Sequence, residues 1–276
     1  MDLEGRVAVI TGGGSGIGES LAAAVAAAGA AHVVVADIDG AQARRVAGAV
    51  GGTAAAIDVR DEAAIRDLVD STEDVHGPIG LFASNAGYVT TGGLEDSNER
   101  IQAMWEVHVM AHVYAARAVL PQMIANGGGY LLNTASAAGL LTQIGSLSYS
   151  VTKHAAVALA EWLAIAHHHQ GIRVSVLCPQ AVRTNILENS PDAANAEWGG
   201  LDAGVAGRDG VVEPADVSRQ CLEAIEQERF WVLPHPQVAD YAARKATDID
   251  RWLAGMRRFQ SALYPAGPLP GDAIAR

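Results

Sequence analysis

The chain is poor in lysine, cysteine and long apolar runs, and each shortage excludes something. Only Lys153 and Lys245 of its 19 basic residues are lysines, and a formal charge of −12 argues against a general nucleic-acid surface. A lysine kept in so arginine-rich a chain is a candidate for a compact, tunable ammonium. Cys178 and Cys221 lack a short metal-binding spacing, and both are expected to be reduced core residues. No apolar stretch reaches the roughly 20 residues of a membrane span, so no membrane partner is expected. The opening Met1-Asp2-Leu3-Glu4 is acidic where a signal peptide is basic, which predicts a cytoplasmic protein. What remains is a chain of 276 residues, half apolar, with 30 glycines and no composition shift. That fits one large α/β domain spanning 1–276.

Its organising stretch is residues 7 to 28. Val7 to Ile10 reads as a buried strand, Gly12-Gly13-Gly14-Ser15-Gly16-Ile17-Gly18 as a tight turn, and Glu19 to Ala28 as a helix. This order sets backbone N–H groups and the positive end of a helix beneath a pyrophosphate. Glycines also mark ordinary turns, so the next strand decides. Ala31 to Ala36 is that strand, and Asp37 stands at its end, about twenty residues beyond the glycines. A carboxylate there accepts from both ribose hydroxyls and repels a 2′-phosphate, which favours NAD over NADP.

Thr53 to Ile57 reads as a third strand, ending at Asp58-Val59. The pair lies near an adenine, or is a helix cap with a core valine. Ile79 to Ser84 is the fourth strand, and Asn85-Ala86-Gly87 either pins the backbone against a cofactor or makes a plain Asx turn. Residues 97 to 126 form a long helical pattern expected to break at Pro121. Tyr130 to Ala135 is the fifth strand, with Ser136 at its end. A long helix then carries Tyr149 and Lys153 four apart on one face and runs to about His169. Consecutive histidines 167 to 169 cannot all face one metal from a regular helix, so they are read as surface and no metal site is expected.

Ile172 to Cys178 is the sixth strand and ends at Pro179. From Gln180 to Val212 the chain loses periodicity, and residues 183–213 are read as a substrate loop. Pro214 to Gln227 returns to helix and Phe230 to Leu233 to strand. The extension 235–276 carries one amphipathic helix, about Val238 to Ala262, that closes the pocket or crosses a neighbouring subunit.

A tyrosine is a poor base at neutral pH because its ordinary pKa is about 10. A neighbouring ammonium, here Lys153, stabilises the phenolate. Tyr149 can then take the hydroxyl proton of an alcohol while hydride leaves its carbon, with Ser136 donating a hydrogen bond to the same oxygen.

Together these pieces resemble the short-chain dehydrogenase/reductase family. The matching residues are Thr11 to Gly18, Asp37, Asp58-Val59, Asn85-Ala86-Gly87, Ser136, Tyr149-x-x-x-Lys153, and Pro179 with Thr184. The resemblance implies a Rossmann-type three-layer α/β/α sandwich with a seven-stranded parallel sheet, and commonly a homotetramer, with a dimer as the alternative. It implies Tyr149 as acid/base, Ser136 on the substrate oxygen, Lys153 as ribose ligand, and Val182 and Thr184 beside the nicotinamide carboxamide. Two positions depart from the family. His108 stands where an asparagine usually kinks the long helix and holds a relay water; it preserves that water, supplies a relay nitrogen, or is simply packed. Gln180 stands where glycine usually follows the proline.

The expected function is an NAD-dependent oxidoreductase interconverting a secondary alcohol and its ketone. Leu140, Leu141, Ile144, Leu147, Trp198 and Leu201 favour a neutral cyclic, aryl or steroid-like substrate, although Arg183 and Arg208 would meet an anion if the loop folds inward. The alternatives are a reductase or epimerase of another carbonyl compound and a non-catalytic NAD-binding regulatory protein.

Overall fold

Seven parallel strands form one sheet in the order β3-β2-β1-β4-β5-β6-β7. They are β1 (Val7–Thr11), β2 (His32–Asp37), β3 (Thr53–Ala56), β4 (Ile79–Ser84), β5 (Gly129–Thr134), β6 (Ile172–Leu177) and β7 (Trp231–Val232). The computed structural model describes residues 1–192, 207–265, 267–269 and 271–272. A parallel sheet is covered on both faces, so its strands must be apolar throughout, and β1, β4 and β5 are buried at every residue. β3, at the sheet edge, is Thr-Ala-Ala-Ala and only half covered.

Helices α1 (Gly16–Ala27), α2 (Gly40–Val50) and α8 (Pro214–Gln227) lie on one face, sharing a core of Leu21, Val25, Val46, Val217 and Ile225 with that side of the sheet. On the other face lie α3 (Glu62–His76), α4 (Asn98–Trp105), α5 (Ala111–Ala125) and α7 (Leu147–His167). Their core holds Ile65, Leu68, Val119, Met123, Val157 and Leu163. Both cysteines are buried, and burial pushes their thiols up to about 12.

Pro121 does not break the long helix. It lies inside α5, where its missing N–H leaves the Arg117 carbonyl without an intrahelical donor. Arg117 and Pro121 are both exposed, so water can serve that carbonyl, while buried Val119, Leu120 and Met123 hold the turn to the sheet. The irregularity comes earlier, where Glu106–Met110 forms a π-helical turn around His108 between α4 and α5.

The C-terminal extension holds two helices rather than the expected one, α9 (Gln237–Thr247) and α10 (Ile249–Leu263). Asp248 leaves helical geometry at φ −150° and ψ 91°, and its carboxylate caps α10 through the Arg251 N–H at 2.9 Å. A four-residue helix, α6 (Ala138–Leu141), is too short to show periodicity in the sequence. α9 docks on it through Val238, against Ala137 and Leu141. Lys245 completes that dock, donating to the Leu140 carbonyl at 2.6 Å and to His154 Nε2 at 3.3 Å.

Consecutive strands build outward from β1 to β3, and the chain then crosses back to place β4 on the other side of β1. The loops leaving β1 and β4 diverge at this reversal and open a crevice at the carboxyl edge of the sheet.

Candidate active site

A cleft of about 1650 Å³ fills that crevice. Its floor at one end is the glycine turn, with φ at +61° for Gly12 and +55° for Gly16, a conformation that disfavours side chains. A Cβ on Gly18 would come within 2.0 Å of the Gly12 carbonyl oxygen, so only glycine lets α1 start this close beneath the turn. Asp37 stands over the turn, accepting the Gly14 N–H at 2.9 Å and the Asp39 N–H at 3.0 Å. Arg45 reaches the same corner but is bound to the Gly14 carbonyl at 3.1 Å and to Glu19 at 2.7 Å.

Asn85 does not make a plain Asx turn. Its Nδ2 donates to the Gly12 carbonyl at 3.2 Å, and its Oδ1 accepts from the Thr134 hydroxyl at 3.1 Å, which ties the glycine turn to β5. The backbone N–H groups of Asn85 and Ala86 converge on Thr11 Oγ1 at 3.0 and 3.4 Å. Asp58 is not a helix cap either: Asp61 caps α3, while Asp58 pairs with Arg60 at 2.6 Å on the wall of the cleft. Arg60 holds the Asp58 carboxyl below its ordinary range. Val59 lies in the α3-side core and also lines the cleft. Gly12, Ser15, Gly16, Ile17, Ala86 and Gly87 border the same space, with Pro179, Val182 and Thr184 across from them.

Ser136, Tyr149 and Lys153 meet at the middle of the cleft. Ser136 Oγ accepts the Ala138 N–H at 3.1 Å and donates to the Pro179 carbonyl at 3.4 Å. Lys153, on the buried face of α7 one turn after Tyr149, donates to the Thr134 carbonyl at 3.1 Å and lies 5.6 Å from the centre of the Tyr149 ring. Burial lowers Lys153 to about 8. Burial also raises Tyr149, with a Ser136 hydrogen bond pulling it back. In the protein alone the phenol therefore lies above its ordinary value, the reverse of the depression expected from Lys153. The ammonium faces the ring and is committed to Thr134, so desolvation prevails.

His108 is fully buried behind this group. Its Nε2 accepts the Tyr88 N–H at 3.3 Å, which assigns the proton to Nδ1. Nδ1 then donates to Thr152 Oγ1 at 3.0 Å, and that hydroxyl donates to the Ser148 carbonyl at 2.8 Å. Burial first, and the Lys153 charge second, hold the imidazole well below 6.5. One turn further, His112 is buried with neither ring nitrogen hydrogen-bonded among the described residues, and its pKa falls to about 3 for the same two reasons.

The far end of the cleft is closed by this chain's own extension. Trp252, Met256 and Phe259 project from one face of α10, with Tyr241 and Arg244 of α9 beside them. Of the apolar residues expected there from the sequence, Leu141 borders the cleft, whereas Leu140 packs against the α9 dock and Ile144 and Leu147 are not among its lining. Trp198 and Leu201 lie outside the described residues. Gln180 lines the wall with its Oε1 buried and unbonded among the described residues.

Two contributors escaped sequence reading. Buried His235 accepts the Gln180 N–H on Nδ1 at 3.2 Å and donates from Nε2 to the Gly210 carbonyl at 3.2 Å, tying together residues before and within the loop expected over 183–213. Asp192 receives a two-pronged bond from Arg100, at 3.1 and 2.9 Å, and the Thr91 N–H at 2.9 Å, which fastens that loop to the segment after β4. A lone histidine and a loop aspartate carry no pattern that marks them as partners of residues so distant in the chain.

Residues 6–195 match the short chain dehydrogenase family. The chain is 36% identical over 241 residues to a 1-deoxy-11-beta-hydroxypentalenate dehydrogenase of Streptomyces exfoliatus, covering 84% of each protein. It is 36% identical over 188 residues to a 2-keto-3-deoxy-L-fuconate dehydrogenase of Xanthomonas campestris, covering 67% of this chain and 61% of the relative. Among solved structures, a short chain dehydrogenase/reductase from Burkholderia phymatum in complex with NAD superposes with a TM-score of 0.81 at 30% identity, covering 91% of this chain and 96% of that one.

Proposed function

The chain belongs to the short-chain dehydrogenase family, and from that premise we propose an NAD-dependent oxidoreductase that interconverts a hydrophobic secondary alcohol and its ketone. The observation that carries this reading is the convergence of Ser136, Tyr149 and Lys153 on the cleft whose other end is the glycine turn with Asp37.

The residues fit NAD. Gly14, Ser15 and Gly16 offer an unobstructed backbone to the pyrophosphate, and the Asp37 carboxylate is already oriented by the Gly14 N–H for the ribose hydroxyls. Arg45, the cation nearest that corner, is tied to Glu19 and so does not wait for a 2′-phosphate. The solved relative from Burkholderia phymatum is itself described in complex with NAD. Bound there, NAD would supply the hydride acceptor for alcohol oxidation, and its reduced form the donor for the reverse.

Tyr149 accepts the alcohol proton as the carbinol carbon is oxidised and returns it when a ketone is reduced. Ser136 donates to the same oxygen and steadies the charge that develops on it. Lys153, fixed by Thr134, lends its positive charge to the phenolate and lowers the cost of forming it within a buried site. His108 is a positioning residue: neutral and bonded on both nitrogens, it packs against the Tyr149 ring rather than carrying protons. Val182 and Thr184, which line the cleft, would hold the nicotinamide carboxamide.

The chain is expected to act as a homotetramer, or at least a dimer, in the cytoplasm. Supporting the first, the outer face of α7 leaves Trp162 60% and Ile165 80% exposed beside an apolar groove against α5. Among the described residues no helix is long and apolar enough to cross a membrane.

The test is reduction of NAD at mildly alkaline pH across cyclic, aryl and steroid secondary alcohols, with NADP in parallel. Because the two curated relatives are named for acids, 1-deoxy-11-beta-hydroxypentalenate and 2-keto-3-deoxy-L-fuconate, hydroxy acids belong in the panel. Turnover with NAD and one structural class supports the proposal. Tight NAD binding with no turnover in either direction overturns it in favour of a non-catalytic relative.

A further inference from the structure

Five arginines border the cleft, and they fall into two groups. Arg45, Arg60 and Arg183 pair with Glu19, Asp58 and Glu213 at 2.7, 2.6 and 2.7 Å. Arg208 and Arg244 make no ion pair among the described residues, and both stand at the substrate end. The Arg208 guanidinium lies 4.7 Å from the centre of the Phe259 ring, and that of Arg244 lies 5.9 Å from the centre of Tyr241. Aromatic faces fix a guanidinium in place without neutralising it.

Among the described residues the one carboxylate lining this end, Asp209, accepts from the Tyr241 hydroxyl at 3.1 Å. Among the described residues two guanidinium groups therefore share this end with a single carboxylate, in a chain whose overall charge is −12. A local surplus of one positive charge, against so acidic a background and beside an apolar roof, matches a monoanion on an apolar body. A fully ionised phosphate, with its second negative charge, fits that surplus less well.

We infer that the substrate is an apolar, ring-bearing secondary alcohol or ketone that carries a carboxylate. Arg208 and Arg244 hold the carboxylate, Trp252, Met256 and Phe259 cover the skeleton, and the carbinol faces Ser136 and Tyr149. This rests on the cleft being that of an alcohol dehydrogenase, and it narrows that reading from the neutral substrate expected from the sequence. Arg244 could not be counted there, because it reaches Arg208's end of the cleft only through the docking of α9 on α6.

The experiment compares matched ring-bearing hydroxy acids with their methyl esters in wild type, Arg208→Gln, Arg244→Gln and the double variant. Wild type should favour the acid by about 10- to 100-fold in kcat/KM, as loss of a charge-assisted pair predicts. The double variant should lose that preference, acid and ester then differing by less than about twofold in kcat/KM. Equal use of acid and ester by wild type, or a preference that survives in the double variant, overturns the clamp.

Calorimetric binding of cyclohexanecarboxylate and cyclohexanecarboxamide separates the clamp from the dehydrogenase reading. Tighter binding of the acid by wild type, lost in the double variant, supports the clamp even where no alcohol is oxidised. Equal binding of the two by wild type overturns it. Absence of turnover across the whole panel would count against the dehydrogenase reading alone.

Discussion

The imidazole of His108 meets the ring of Tyr149 edge-on, with centroids 5.5 Å apart and planes at 81°. An aromatic pair of this geometry contributes about 0.5–1.5 kcal/mol of positioning. His108→Asn should therefore lower kcat by less than about tenfold. Since burial holds His108 well below 6.5, it stays neutral at working pH, and the shape of the pH–rate profile should not change. Loss of a limb near pH 6 in the variant would make His108 a proton carrier instead.

Tyr149→Phe removes the transferable proton and leaves the ring against His108. Turnover should fall by roughly 100- to 10,000-fold, the range of general acid–base catalysis, while NAD titrated by protein fluorescence binds as before. Retained turnover would move the acid/base role elsewhere.

Asp37→Ala takes away the carboxylate that the Gly14 N–H orients. Each charge-assisted hydrogen bond is worth about 1.5–3 kcal/mol, so NAD should bind at least about tenfold more weakly. The preference over NADP should narrow at the same time. An unaltered ratio of the two affinities would assign the ribose to another group.

Lys153 is charged and buried below its folded pKa of about 8, whereas an exposed lysine keeps its proton to about 10.5. Between these values the unfolded chain binds more protons, so this group's contribution to stability rises with pH through that window. Without nucleotide, Lys153→Met should raise the melting temperature at pH 7, by an amount equivalent to roughly 1–3 kcal/mol. The gain should shrink towards pH 10.5, while turnover should be lost. Thermal melts at several pH values measure it, and a destabilised variant at pH 7 would contradict the assigned cost.

His112 acts with the same sign in an acidic window. Its pKa of about 3 in the fold, against an ordinary 6.5, means that acid favours the unfolded chain, and stability is lost as pH falls from 6.5 toward 3. His112→Leu removes two buried nitrogens that lack partners among the described residues. It should stabilise the protein by about 1–3 kcal/mol near pH 5 and flatten the acid limb of its stability curve. An unchanged limb would mean that another histidine, such as His235, sets it.

Much of this architecture is legible from local pattern. The strands at Val7, Ile79 and Ile172 announce themselves because a parallel sheet covered on both faces demands continuous apolar runs. Ser136, Tyr149 and Lys153 are legible because a strand end and one helical turn bring them together by short-range geometry. The misread segments are those decided by long-range packing or by a single cap. Pro121 is tolerated because its orphaned carbonyl reaches solvent, and the tail divides because the Asp248 side chain restarts a helix. The roof of Trp252, Met256 and Phe259 shows only as amphipathic spacing, and nothing in that spacing says which surface it covers.

The origin of that roof also orders the assembly of the site during synthesis. The glycine turn, Asp37, Ser136, Tyr149, Lys153 and Thr184 have all been translated before the first residue of α9 leaves the ribosome. The nucleotide end can thus collapse onto its sheet while the substrate end still lacks Tyr241, Arg244 and α10. Lys245 then finds the Leu140 carbonyl already presented, and the last helices settle on a finished floor. On the proposed function, such a chain completes its nucleotide end before it can enclose anything to oxidise.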